Sequence, residues 1–173
     1  RERRDVLIEP GHVFLLPPRI PHSPQRPAHS FGLVVERERT ERELDALRWY
    51  VDFERPEAVL WEKEFRCTDL GRDLLTIIED FRRSDAARTG VPSTSGPSPL
   101  EQDHETLAPA PLALRDWLAD HAASLSRGCE LLLFGEALSS DMRVSVLGGA
   151  LDARVAANNR AVWFYQLRGA GRV

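Results

Sequence analysis

The run Gly11-His12-Val13-Phe14-Leu15-Leu16-Pro17-Pro18-Arg19-Ile20-Pro21-His22-Ser23-Pro24-Gln25-Arg26 gathers residue types that hold metals and anions. Glycine permits a sharp turn into a strand, and Pro17 ends that strand. His22 follows five residues beyond Pro17, with a proline on either side. Such framing holds an imidazole in place at low entropic cost, which is what metal ligation requires. The spacing alone leaves His22 open to two readings, a metal ligand or a hydrogen-bonded structural histidine.

Arg26 lies four residues beyond His22. It reads either as a surface arginine or as a fork for a substrate carboxylate, which guanidinium binds in bidentate fashion. Glu36 ends the apolar run Leu33-Val34-Val35, and strand alternation puts it on the same face as Val34. A carboxylate facing inward there is costly unless it is paired or functional; the other reading is that the strand has already reached solvent. His12, His29, His104 and His121 are weaker candidates. His29, between Ala28 and Ser30, suits an exposed turn. The chain carries no P-loop, dinucleotide glycine signature, nucleophile elbow or zinc-finger spacing.

The elements that must position these residues begin as strands and turns. Asp5-Val6-Leu7-Ile8-Glu9, Val13-Phe14-Leu15-Leu16 and Phe31-Gly32-Leu33-Val34-Val35-Glu36 read as short strands divided by Gly and Pro, the pattern of a sandwich or barrel. Thr40-Glu41-Arg42-Glu43 fits a capping box, and Leu44, Leu47 and Val51 then fall on one helical face, predicting a helix. Val59-Leu60-Trp61 is a short strand. A second helix is predicted over 69–83, with Leu70, Leu74, Ile77, Ile78 and Phe81 as its apolar stripe.

Residues 90–111 hold five of the 12 prolines with no apolar periodicity, and read as a linker. Leu114, Trp117, Leu118, His121 and Leu125 give a third helix, ended by Gly128 at the C′ position. Three further strands are predicted at 130–135, 144–148 and 162–167, and Arg168-Gly169-Ala170-Gly171 reads as a hairpin-type turn. The chain opens at Arg1, and Met142 is its only methionine. With a sheet that stops after its first hairpin, this predicts a chain cut at both ends.

Composition bounds the function. With 173 residues, 42% hydrophobic and 29% charged, the chain is of ordinary globular composition and long enough for a sizeable core. A net charge of −4 disfavours a nucleic-acid or anionic-membrane partner. The basic residues are nearly all arginine, Lys63 being the single lysine, and they alternate with acids as in Glu36-Arg37-Glu38-Arg39. That describes a solvated, self-paired face. No apolar run approaches a membrane span, and no charged-then-apolar leader opens the chain. Cys67 and Cys129 lie far apart and read as free thiols of a cytosolic protein.

Gly11, Pro17 and His22 stand at the spacing of the second cupin motif, Gly-x5-Pro-x-Gly-x2-His-x3-Asn. Arg19 replaces the motif glycine and Arg26 the final asparagine. The run 14–26, with Gly32-Leu33-Val34-Val35-Glu36-Arg37, closely resembles the 3-hydroxyanthranilate 3,4-dioxygenase family. Similar stretches recur at Glu43-Leu44-Asp45-Ala46-Leu47-Arg48-Trp49-Tyr50, Cys67-Thr68-Asp69-Leu70-Gly71, Arg88-Thr89-Gly90, Asp116-Trp117-Leu118, Leu133-Phe134-Gly135 and Val162-Trp163-Phe164-Tyr165-Gln166-Leu167.

The resemblance implies a non-haem Fe(II) dioxygenase that opens the ring of 3-hydroxyanthranilate with O2. The product, 2-amino-3-carboxymuconate semialdehyde, closes to quinolinate, a precursor of NAD in the kynurenine pathway. In that family iron is held by two His and one Glu, a set that leaves positions open for substrate and O2. His22 matches the second His, Arg26 matches an arginine on the substrate carboxylate, and Glu36 matches a glutamate at the hydroxyl/amino edge that assists proton transfer. The fold implied is mainly β with helical segments, a cupin (double-stranded β-helix) of the two-cupin form, partial at both ends. Residues 1–92 would be the C-terminal half of the catalytic cupin plus a helical extension, 93–111 a linker, and 112–173 the start of a second, degenerate cupin.

The first motif, with the other His, the Glu ligand and a second arginine, is expected before residue 1, so this chain alone is expected to be inactive. Two cysteines cannot supply the four-cysteine iron site of single-cupin members. The full-length protein is expected to be a cytoplasmic monomer acting on a small molecule and O2, with no nucleic-acid or membrane partner. The alternative is a non-catalytic cupin-like binding or structural protein. A sugar isomerase fits less well, because Arg26 and Glu36 suit an anionic aromatic substrate.

Overall fold

The structure is a computed structural model, and it describes residues 4–37, 39–93, 100–103, 105–135, 142–149 and 162–170. Its contacts divide the chain into two units. One comprises residues 1–34 and 38–117, the other residues 35–37 and 118–173. The described elements are a mixture of short strands and helices. They form three two-stranded antiparallel sheets, with no closed barrel among the described residues.

In the first unit the main scaffold is a hairpin of β2 (Asp45–Tyr50) and β3 (Val59–Phe65), joined in register from Asp45 opposite Phe65 to Trp49 opposite Trp61, with an irregularity before Tyr50. This corrects the helix predicted through Leu44, Leu47 and Val51. Their spacing suits a helix, but the intervening residues favour pairing: Arg48 and Glu62, opposite each other, form an ion pair, and Trp49 meets Trp61 edge-on at 5.4 Å. The capping box closes a turn instead of a helix. The Thr40 N–H donates to the Glu43 carboxylate at 2.7 Å and the Glu43 N–H to the Thr40 carbonyl at 3.2 Å.

Helix α1 (Leu70–Arg83) follows as predicted, because its signals are local. The Asp69 carboxylate accepts the Arg72 N–H at 3.0 Å as N-cap, and Asp73 accepts the N–H groups of Thr68 and Asp69 at 2.8 and 2.9 Å. Those backbone donors, Asp69 first, hold the Asp73 carboxyl well below the usual carboxylate range. Ile77 is buried, Leu74, Ile78 and Phe81 are half-buried, and Leu70 at the open end is exposed, so the stripe is one residue shorter than predicted. Phe81 stacks on Trp49 with ring centres 4.1 Å apart, which fixes the helix on the hairpin. Ser84 ends α1 and caps α2 (Asp85–Thr89), and Gly90 at φ 69° closes it.

The segment bearing the cupin-like motif is mostly irregular. Only β1 (His12–Val13) pairs, with β4 (Leu112–Ala113). The predicted strands at 5–9 and 31–36 belong to no ladder among the described residues, and neither does the one at 162–167. Apart from half-buried Val6, their β-prone side chains stay exposed, Phe31 and Tyr165 among them. A strand conformation is held by its neighbour's amides, which composition does not supply.

α3 (Leu114–Asp120) and α4 (Ala122–Ser126) replace the single predicted third helix, broken at His121. In the second unit Gly128, at φ 80°, follows the C-cap of α4 as predicted. There β5 (Glu130–Leu132) pairs with β6 (Ser145–Leu147), and Leu125 and Leu133 are buried. Gly148 is required by close approach: a Cβ there would lie 2.6 Å from the Leu125 carbonyl oxygen.

Candidate active site

Residues 16–24 hold four prolines, at 17, 18, 21 and 24. Each locks its own φ and restricts the residue before it. Arg19 and His22 are the two residues of this stretch under neither constraint. Pro17 is buried and anchors the turn. Arg19 takes φ 62°, the left-handed region that the motif fills with glycine.

His22 is exposed, and its Nδ1 lies 2.9 Å from the Ile20 carbonyl oxygen. A carbonyl only accepts, so the contact selects the tautomer protonated on Nδ1 and leaves the Nε2 lone pair outward, as a metal ligand requires. Arg26 is exposed as well, and its Nη1 donates to the Gly32 carbonyl at 3.4 Å across a tight turn. In that turn the Ser30 N–H and hydroxyl both donate to the Pro27 carbonyl, at 3.3 and 2.7 Å, with His29 at φ 62°. His22 and Arg26 thus share one exposed stretch of the first unit.

Glu36 falls in the second unit's residues 35–37 and is exposed; Val34 is 59% exposed. The inward-facing carboxylate expected from strand alternation is therefore not formed, because the strand is not. His12 is half-buried, its Nδ1 3.2 Å from the Glu9 carbonyl oxygen. His104 lies outside the described residues, and His121 marks the break between α3 and α4. Both cysteines are half-buried, and neither is part of a disulfide.

Among the described residues no three His, Cys, Asp or Glu side chains gather into a group able to hold a metal. His22 offers one imidazole of the set that a two-His-one-carboxylate centre needs. The described donors therefore do not make a complete iron site. No helix among them is long and apolar enough to cross a membrane.

Sequence reasoning missed Asp103. Its N–H donates to the Arg19 carbonyl at 3.0 Å, and its carboxylate accepts the N–H groups of Glu105 and Thr106 at 2.9 and 2.8 Å. Thr106 above all, with Glu105 and the charge of Arg19 adding, pulls the Asp103 carboxyl down to about 2. The available signal was an Asp three residues before a Thr in a Pro- and Ser-rich stretch, the pattern of a side chain that builds its own turn.

His22, between prolines, and Arg26, four residues on, are thus both exposed on one stretch of the first unit. Residues 1–82 match the family model for 3-hydroxyanthranilic acid dioxygenase. The chain's relatives include proteins named 3-hydroxyanthranilate 3,4-dioxygenase. Those of Rattus norvegicus and Homo sapiens are each 41% identical over 177 residues, covering 99% of this chain and 59% of theirs. The Danio rerio protein is 36% identical over 99% of this chain and 58% of its own. The chain thus spans about three fifths of the length of these relatives.

Proposed function

We propose that this chain is part of a dioxygenase that opens the ring of 3-hydroxyanthranilate with O2, both oxygen atoms entering 2-amino-3-carboxymuconate semialdehyde, the precursor of quinolinate. The observation that carries it is the 41% identity across 99% of the chain to proteins named for that reaction. His22 and Arg26 at the motif positions support it. The implied fold is a two-cupin one, with residues 1–92, 93–111 and 112–173 as catalytic half, linker and degenerate second cupin, and the cell compartment is the cytoplasm.

His22 supplies one ligand to Fe(II) through Nε2, its ring held by the Ile20 carbonyl. Iron, when bound, supplies the reactivity toward O2 that side chains lack. Arg26 receives the substrate carboxylate as a bidentate partner and so orients the ring. Glu36 takes the role of proton acceptor at the substrate's hydroxyl and amino edge. One imidazole does not hold iron tightly, so turnover needs ligands beyond those that the described residues supply.

The test is O2 uptake with Fe(II) and 3-hydroxyanthranilate by the longest natural product of the gene that contains this chain. That protein turns over. His22→Ala loses stoichiometric iron and turnover, whereas Arg26→Ala chiefly raises KM. A His22→Ala protein that keeps both iron and turnover overturns the ligand assignment.

A further inference from the structure

The two left-handed residues of the motif segment are held from outside it by one stretch of chain. Gly11, at φ 82°, accepts the Leu114 N–H on its carbonyl at 3.1 Å, and Arg19, at φ 62°, accepts the Asp103 N–H at 3.0 Å. Between these points His12 pairs with Ala113 and Val13 with Leu112, so the stretch runs antiparallel along the motif. The Arg19 guanidinium lies 4.0 Å from the Glu101 carboxylate, and the Arg4 Nη2 donates to the Ala108 carbonyl at 2.9 Å.

A left-handed backbone opposes any side chain with a Cβ, so Arg19 keeps this conformation only where something outside the residue holds it. Of the two residues that the prolines leave unconstrained, Arg19 is the joint that precedes His22. We infer that the described residues of the 100–114 segment are an intramolecular strap on the motif, and that Asp103 is a positioning residue for His22, acting through the Arg19 carbonyl. The strap does the work that glycine does in the motif. Its catalytic meaning rests on His22 being a metal ligand; the positioning itself does not.

The test is nuclear magnetic resonance of the labelled chain. A through-hydrogen-bond coupling from the Asp103 nitrogen to the Arg19 carbonyl carbon is expected in the unmutated protein, and its absence overturns the strap. His22 is expected as the single Nδ1–H tautomer. Asp103→Pro, which removes the N–H, shifts both ring nitrogens toward the mixed tautomers of a free imidazole. Asp103→Asn, which keeps the N–H and the side-chain acceptor, does not. Adding Arg19→Gly to Asp103→Pro restores the single tautomer, which a general loss of structure would not allow.

An Asp103→Pro protein whose His22 nitrogens stay unshifted, with unchanged amide exchange from Arg19 to His22, overturns the inference. Fe(II) titrated without O2 into the longest natural product separates the two readings. If iron leaves the His22 resonances unmoved while Asp103→Pro still shifts them, the positioning stands and the metal assignment falls.

Discussion

Arg19 concentrates the tension of the motif segment in one residue. A non-glycine residue in the left-handed region costs about 1–2 kcal/mol relative to its relaxed conformation. Glycine there removes that cost but loses more entropy on folding, by about 0.5–1 kcal/mol. The Arg19–Glu101 pair, both side chains well exposed, offsets little. Arg19→Gly is therefore expected to stabilise the first unit by up to about 1 kcal/mol. Urea unfolding followed by tryptophan fluorescence reads this through Trp49 and Trp61. A lower midpoint would mean that the guanidinium contributes more than its geometry indicates. Residue types at this scale were legible: Gly11, His22 and Arg26 stand out by spacing. Arg19's backbone and its partner Asp103 were not, since their meeting depends on chain 84 residues away.

Among elements, α1 and β2 differ in what decides them. Asp69, Asp73 and the apolar stripe of α1 lie within a few residues of one another, so the helix was readable almost to its ends. The spacing of Leu44, Leu47 and Val51 suits a helix, and the choice of strand rests on Trp61 and Phe81, distant in sequence. Phe81→Ala removes the stacked partner of a half-buried Trp49 and should cost about 2–3 kcal/mol, at the low end for core aromatics. A loss below about 0.5 kcal/mol, the range of ordinary surface changes, would show that the hairpin does not depend on the helix.

The α1 start also sets a pH response. Asp73 has a folded pKa below its unfolded value, so its contribution is fully present above the unfolded value of about 3.9. That contribution is lost as pH falls through the folded value. Asp73→Asn is expected to destabilise the protein at neutral pH and to flatten its acid transition, read by far-UV circular dichroism. An acid limb as steep as that of the unsubstituted chain would place the titrating group elsewhere.

At the scale of the molecule, what is buried is little compared with what is not. Besides Pro17, the buried apolar side chains among the described residues are Ile77, Ala86, Leu125 and Leu133. Phe31, Leu33 and Val34 are 59–102% exposed, and Trp163 and Tyr165 are 73% and 76% exposed. The sequence marks these segments as strands because their residues favour a pleated, half-buried surface, and pattern alone does not say what pairs with them. Left open, β-prone apolar segments are templates for another chain. Phe31→Ser with Leu33→Lys should therefore slow self-association of the chain. Since both side chains face solvent, stability should change by no more than about 0.5 kcal/mol. Light scattering over time reads the first effect and thermal unfolding the second. Unchanged aggregation would clear residues 31–34 and leave 162–167 as the segment to alter next. A marked fall in stability would show that Phe31 is packed in solution, contrary to its exposure in the fold described above.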